Sequence, residues 1–358
     1  MRAASLAIVI LAFTSSTFSQ TYISEIRSVG DRTHIVWYDR YSNKSVIAEF
    51  ADFLVVIEFP QLDSLTDELI TRLGKEFPKK PIRYVLHSHH HSHSLSTFDP
   101  FLQRTKARLV TTRYNLEQVK GLTKDTARLM REAIVYQGSY TIKDRTNELR
   151  LMEMRQSEYN VPTPEYNVFL FPKQSSMVTG CLYNKPEAYH EVVNDRKKAL
   201  DLFLKDKGIA PASLIPTNTS RSKGFMDICS RATFDSTLAM GIDPMKFMES
   251  MHSRKVEYLL ASKDSLKAEF SKIPRSYDYI VCANYLIAYG DPLRAIAMLR
   301  PLAELYPTES VIPYYTGVCY ENMDMKTEAV AHYRRQLALI KDESEIEEVR
   351  KRIASLEK

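Results

Sequence analysis

The chain has 358 residues, of which 44% are hydrophobic, and its 49 basic and 44 acidic side chains leave a formal charge of +5. That is enough apolar material for a packed core, while the dispersed charge, with no basic block and no aromatic-interleaved basic stripe, argues against a nucleic-acid partner. Four cysteines, Cys181, Cys229, Cys282 and Cys319, are too few and too widely spaced for a disulfide scaffold.

Met1 and Arg2 lead into the apolar run Leu6–Phe13 and then the small polar stretch Thr14–Ser19, the order of a cleaved signal peptide. Residues 1–19 are therefore expected to be removed, leaving an exported protein, periplasmic or secreted, that begins near Gln20. The run is well short of the roughly 20 residues a spanning helix needs, and no later stretch comes closer, so no membrane span is expected.

Short β-branched or aromatic runs bounded by turn residues predict strands at Thr33–Tyr38, Ser45–Phe50 and Phe53–Glu58. A helical pattern over Leu62–Phe77, stopped by Pro78, is followed by strands at Ile82–Leu86 and Ala107–Thr111. Strands at Tyr166–Phe171 and Ser175–Thr179 read as a hairpin across Pro172, Lys173 and Gln174; a long helix, Glu187–Lys207, then leads to a strand at Ser213–Pro216. Strands interleaved with helices predict an α/β or α+β sandwich with helices outside, spanning residues 20–223.

From about Phe225 the pattern is helical, with helices expected at Pro244–Met251 and Lys255–Phe270 and connecting helices over 224–274. Over 275–358 a period of 34 residues emerges: Ala283 pairs with Gly317, Leu286 with Tyr320, and Ala295 with Ala329. That period, and small residues where two helices would cross, resemble tetratricopeptide repeats, although Gln336 replaces a small residue late in the second copy and Lys341 the closing proline. A capping helix is expected near Glu345–Leu356. Repeats of this kind imply a concave surface for a peptide or protein partner.

Five of the nine histidines fall in His87–His93, directly after a predicted strand. Alternate residues of an extended chain share a face, which would align His87, His89, His91 and His93, and converging imidazoles are common ligands for zinc and its neighbours. The segment Tyr84–Ser94 resembles the metallo-β-lactamase signature, a strand running into His-x-His-x-Asp-His. In that register His89 and His91 match the first two ligand histidines, His93 stands at the Asp and Ser94 at the last His. Glu58 replaces the structural Asp that supports the ligands, and Cys181 takes the Asp of the second signature strand pair, as in a group of true β-lactamases where a Cys there binds the second zinc. Pro162 and Asn218 fall where the family has two further histidines.

The resemblance covers roughly residues 24–220 and implies an αββα sandwich, with an all-α tetratricopeptide-like region to follow. The lost ligands imply one rearranged zinc site, His89, His91, His93 and Cys181, holding one ion. Four protein ligands would close that site, and closed sites are structural, whereas hydrolysis needs a position for water. Three readings stay open at this point: a metal-binding domain with weak or no hydrolase activity, an active zinc-dependent hydrolase of an ester, amide or lactam using a rearranged His/Cys site, and a metal-free fold. Cys181 is equally readable as a thiol that fills space.

Overall fold

The computed structural model describes residues 23–357, apart from 39–42, 92–94, 96, 185–192, 219–225, 242, 272–275 and 341–342. The expected signal segment, 1–19, and His93 lie outside the described residues.

The described strands form two mixed sheets. The first holds β1 (Ile23–Gly30), β2 (Thr33–Tyr38), β3 (Lys44–Glu49), β4 (Leu54–Ile57), β5 (Ile82–Leu86), β6 (Arg108–Thr112) and β7 (Ile134–Tyr136), in chain order. Antiparallel pairing runs from β1 to β4 and parallel pairing from β4 to β7. Parallel neighbours need crossovers. These are α1 (Asp63–Glu76), α2 (Phe98–Thr105), and the pair α3 (Arg113–Val119) and α4 (Thr126–Glu132). The second sheet orders β13 (Cys229–Ser230), β12 (Ser213–Pro216), β11 (Ser176–Gly180), β10 (Glu165–Phe171), β9 (Glu148–Arg155) and β8 (Ser139–Lys143). A short helix, α5 (Gln156–Tyr159), joins β9 to β10, and α6 (Asp195–Asp206) lies between the parallel pair β11 and β12.

Period-two alternation decides which layer each side chain enters. Ile35, Trp37, Val46, Ala48, Val55 and Ile57 face the second sheet, where Leu149, Leu151, Phe169, Phe171 and Val178 meet them. Their neighbours Val36, Ile47, Leu54 and Val56 point the other way, onto Leu65, Leu69 and Leu73 of α1 and Phe98 and Phe101 of α2. On the far side Val168, Leu170, Met177 and Leu214 receive Ala199, Leu200, Phe203 and Leu204 of α6. The result is a helix–sheet–sheet–helix sandwich, in agreement with the layering expected from sequence.

Boundaries shift where local chemistry intervenes. The helix expected over Glu187–Lys207 is described from Asp195, because the Asn194 side chain caps it by accepting from the Lys197 N–H at 3.2 Å; residues 185–192 lie outside the described set. The single helix expected over Lys255–Phe270 is two, Val256–Ala261 (α9) and Lys263–Ser271 (α10), parted at Ser262. Strands β1, β7, β8, β9 and β13 were not among the sequence expectations, and β13 lies where the pattern read as helical, drawn into the sheet by pairing with β12.

After α7 (Arg231–Met240) and α8 (Pro244–His252), the C-terminal stretch pairs α11 (Ser276–Ala288) with α12 (Pro292–Leu305), and α13 (Val311–Asn322) with α14 (Lys326–Leu337), then closes with α15 (Glu343–Leu356). The two pairs share the 34-residue register at the backbone level. Gly290 and Asp324 both sit at positive φ, and the Asp291 N–H donates to the Leu286 carbonyl as the Met325 N–H donates to that of Tyr320. Ala295 and Ala329 are both fully buried. Gly317 lies under the Tyr333 ring, where an added Cβ would come within 2.6 Å of a ring carbon. All four cysteines are buried free thiols.

Enlarging either crossing point should overpack it. Ala295→Leu and Ala329→Leu are each expected to destabilise by about 1–3 kcal/mol, read as a lowered denaturant midpoint at unchanged slope. Tolerance at one position and not at the other would contradict a common register.

Candidate metal centre

Strand β5 ends at Leu86 at the carboxyl edge of the parallel strands, where open α/β sheets place their ligand sites. The chain then passes between the sheets. The Ser88 N–H donates to Glu58 Oε1 at 3.0 Å, and the Glu58 N–H donates to the Leu86 carbonyl at 2.9 Å, so Glu58 ties the loop to the end of β4. To make this turn Glu58 adopts φ 65°, a left-handed conformation that costs a non-glycine residue about 1 kcal/mol or more. From the opposite sheet, the Asn167 N–H donates to the Ser88 carbonyl at 2.7 Å and its side-chain amide to the His87 carbonyl at 3.1 Å. The Tyr136 hydroxyl fixes that amide by donating to Asn167 Oδ1 at 2.8 Å.

This clamp sorts the histidines. His87 turns into the core, with Nε2 3.5 Å from Thr111 Oγ1 and, among the described residues, no hydrogen bond to Nδ1; burial pushes its pKa down to about 3, so it is neutral. His89 is also fully buried, but aims the other way. Its Nδ1 lies 2.7 Å from Ser88 Oγ, its Nε2 lies 3.7 Å from Cys181 Sγ, and its ring stacks on Tyr166 at 4.9 Å. His91, half-buried, meets the His89 ring edge-on at 4.6 Å; burial lowers its pKa, followed by the charges of His90 and Arg196. His90 packs edge-on against Tyr114 at 5.4 Å, with its pKa also lowered by burial.

Cys181 arrives from the end of β11 through Gly180, whose φ of 61° redirects the chain. The Cys181 N–H donates to the Tyr166 hydroxyl at 2.8 Å, and that hydroxyl donates in turn to the Thr179 carbonyl at 3.2 Å. The thiol is 3% exposed; burial pushes its pKa up while the Arg196 charge pulls it the other way. Asn43, Glu58, Thr217 and Asn218 close the site around a cavity of about 10 Å³, room for one water or one ion.

Of the four ligands expected from sequence, the structure brings His89 and Cys181 together, places His91 beside His89, and leaves His93 outside the described residues. Two ligands at about 2.0–2.1 Å (N) and 2.3 Å (S) from a tetrahedral zinc stand roughly 3.5 Å apart, so the 3.7 Å between His89 Nε2 and Cys181 Sγ fits two adjacent positions of one ion. The contact of His89 Nδ1 with Ser88 Oγ is of the kind that orients a ligating imidazole. Among the described residues no group of three or more His, Cys, Asp or Glu side chains is arranged to hold a metal. Tyr166 and Asn167, which position the pair, were given no role by the sequence; their signals were a place in a predicted strand and, for Asn167, the start of the stretch that resembles the second signature strand pair.

No family model matches the chain, and no curated protein matches it. Among solved structures it is similar to a metallo-β-lactamase from Pontibacter korlensis at 15% identity and a TM-score of 0.46, over 60% of this chain and 97% of that one. It is similar also to the metallo-β-lactamase FIM-1 from Pseudomonas aeruginosa in its mono-zinc form (14% identity, TM-score 0.44, 60% and 93% covered). A third, a metallo-β-lactamase from Hirschia baltica, stands at 15% identity and a TM-score of 0.41, with 60% and 95% covered. These likenesses are remote, and the reading of the site rests on this chain's own geometry.

Gly180 is the residue on which that geometry turns. A Cβ there would collide with the Tyr166 hydroxyl and lie 2.9 Å from Ser88 Cβ and Oγ, on a backbone already at positive φ. Gly180→Ala is expected to destabilise by at least about 2 kcal/mol in urea unfolding. A wild-type midpoint would show that the β11 turn does not set the site.

Proposed function

We propose that the protein is an exported, zinc-binding member of the metallo-β-lactamase superfamily that has lost hydrolytic ligands, with its helical pairs, tetratricopeptide-like in period, as a docking surface for a peptide or protein. The observation that carries the metal reading is the approach of His89 Nε2 to Cys181 Sγ, 3.7 Å, at the end of a loop clamped from both sheets. His91 and His93 complete the proposed ligand set, with one ion per chain. Zinc held there by four protein ligands contributes binding free energy to the fold. Hydrolysis of an ester, amide or lactam needs an open coordination position and space for substrate. The cavity beside His89 and Cys181, about 10 Å³, favours the non-hydrolytic reading over the hydrolase.

Metal analysis of the purified mature protein is expected to return one zinc per chain. Replacing His89 and His91 together by alanine should abolish stoichiometric zinc, whereas His90→Ala should keep it. Stoichiometric zinc in the double variant would reject this site, and a wild-type chain that stays metal-free after incubation with zinc would leave the buried pair as a thiol–imidazole hydrogen bond. For export, the expected outcome is a mature N-terminus near Gln20 in protein recovered outside the cytoplasm. An intact Met1 would overturn it.

A further inference from the structure

Tyr166 is fully buried in the apolar layer under α6, where a phenylalanine ring would bury as much surface and leave no hydroxyl to satisfy. Four groups surround that hydroxyl. Its oxygen accepts the Cys181 N–H at 2.8 Å, and the Ser88 hydroxyl hydrogen-bonds to it as well. Its own hydrogen has two acceptors within reach, the Thr179 carbonyl at 3.2 Å and Cys181 Sγ at 3.6 Å. Glycine at 180 is what admits it, since a Cβ there would collide with the hydroxyl.

The strength of the two acceptors decides where the hydrogen goes. A neutral thiol accepts weakly, so the carbonyl holds it, but 3.2 Å is long for an O–H···O bond and the hold is slight. A thiolate carries charge and accepts far more strongly. The same oxygen is also tied to the other member of the pair. Ser88 Oγ lies 2.7 Å from His89 Nδ1, and an imidazole that ligates through Nε2 keeps its hydrogen on Nδ1, where it donates to Ser88. Ser88 then has its own hydrogen to give to Tyr166. Tyr166, with an N–H and an O–H donating to its oxygen, has its hydrogen to give to the sulfur.

We infer that binding of a divalent cation turns the Tyr166 hydrogen from the Thr179 carbonyl to Cys181 Sγ, completing a relay from His89 Nδ1–H through Ser88 O–H and Tyr166 O–H to the sulfur. The thiol proton is released as the metal binds, so the sulfur that receives this bond is a thiolate. Bonds arranged head to tail polarise one another, and each link strengthens the next. Tyr166 is therefore a positioning residue that sets how much charge the sulfur ligand keeps. This rests on the zinc reading of His89 and Cys181 and deepens it.

The test is a cobalt(II) titration of the purified protein, read by the sulfur-to-cobalt charge-transfer absorption in the near ultraviolet, with zinc affinity measured by chelator competition on the same samples. Wild type is expected to show the band. In Tyr166→Phe the sulfur loses its donor and holds its electrons less tightly, so the band moves to longer wavelength and zinc binds roughly ten- to hundredfold more weakly. Ser88→Ala, which leaves the Cys181 turn intact, should move the band the same way by less, and it decides the matter should Tyr166→Phe fail to fold. A Tyr166→Phe protein that melts lower but keeps the wild-type band has lost a structural bond only and overturns the relay. So does a Ser88→Ala protein with wild-type band and zinc affinity. Both results leave the zinc reading standing, because cobalt still meets the sulfur. A wild-type protein that takes up cobalt without the band, or takes up none, ends the zinc reading at Cys181 and the relay with it.

Discussion

The backbone of Ser88 is held from both sheets at once, its N–H by the Glu58 carboxylate and its carbonyl by the Asn167 N–H. Two residues on, the side chains of a histidine-rich segment would otherwise be free to follow strand alternation into solvent. Clamped in this way, the segment cannot stay extended, and His87 and His89 are driven into opposite interiors. One becomes a neutral core imidazole near Thr111 and the other faces a thiol. The strained φ of Glu58 and the positive φ of Gly180 are both explained by that requirement, because each lets a strand end turn back toward the same point between the sheets.

The layers were legible in the sequence because β2, β3, β4, β10 and β11 are short, β-branched or aromatic runs bounded by turn residues, as strands buried on both faces should be. β8 and β9 were not. They carry Lys143, Glu148 and Arg150, of which Lys143 pairs with Glu148 across the strands and Arg150 with Glu148 along β9, and a charged run of this kind reads as a solvated surface until its partner strand is known. At the site, the approach of His89 to Cys181 followed from family register. The inward turn of His87 did not, because alternation along an extended chain assigned His87 to the same face as His89, and the Asn167 clamp that breaks the extension lies 80 residues away in sequence. Long-range side-chain to backbone contacts of that sort leave no local pattern to read.

The helical region shows the same division between pattern and context. Its register was visible from three residue pairs at one spacing, two of them small residues, since a crossing point such as Ala295 or Ala329 admits little else, and the turn hydrogen bonds repeat with it. Gln336 breaks the pattern where α15 joins. A terminal pair faces a capping helix instead of another repeat, so the position that holds Leu302 in one pair borders a cleft in the other.

Burial sets the terms on which His89 and Cys181 interact. Out of water a thiolate is costly, which is why the Cys181 pKa is raised, and a neutral thiol beside a neutral imidazole is the cheap arrangement when no cation is present. A divalent cation reverses that preference, because it binds the thiolate directly and its charge offsets the desolvation. The two states need almost the same heavy-atom positions, since a weak S–H to N contact at 3.7 Å and two adjacent tetrahedral ligands differ by only a few tenths of an ångström. Zinc bound as proposed would therefore leave the positions of His89 and Cys181 nearly unchanged. The free energy of zinc binding as proposed would then appear as added stability of the folded state.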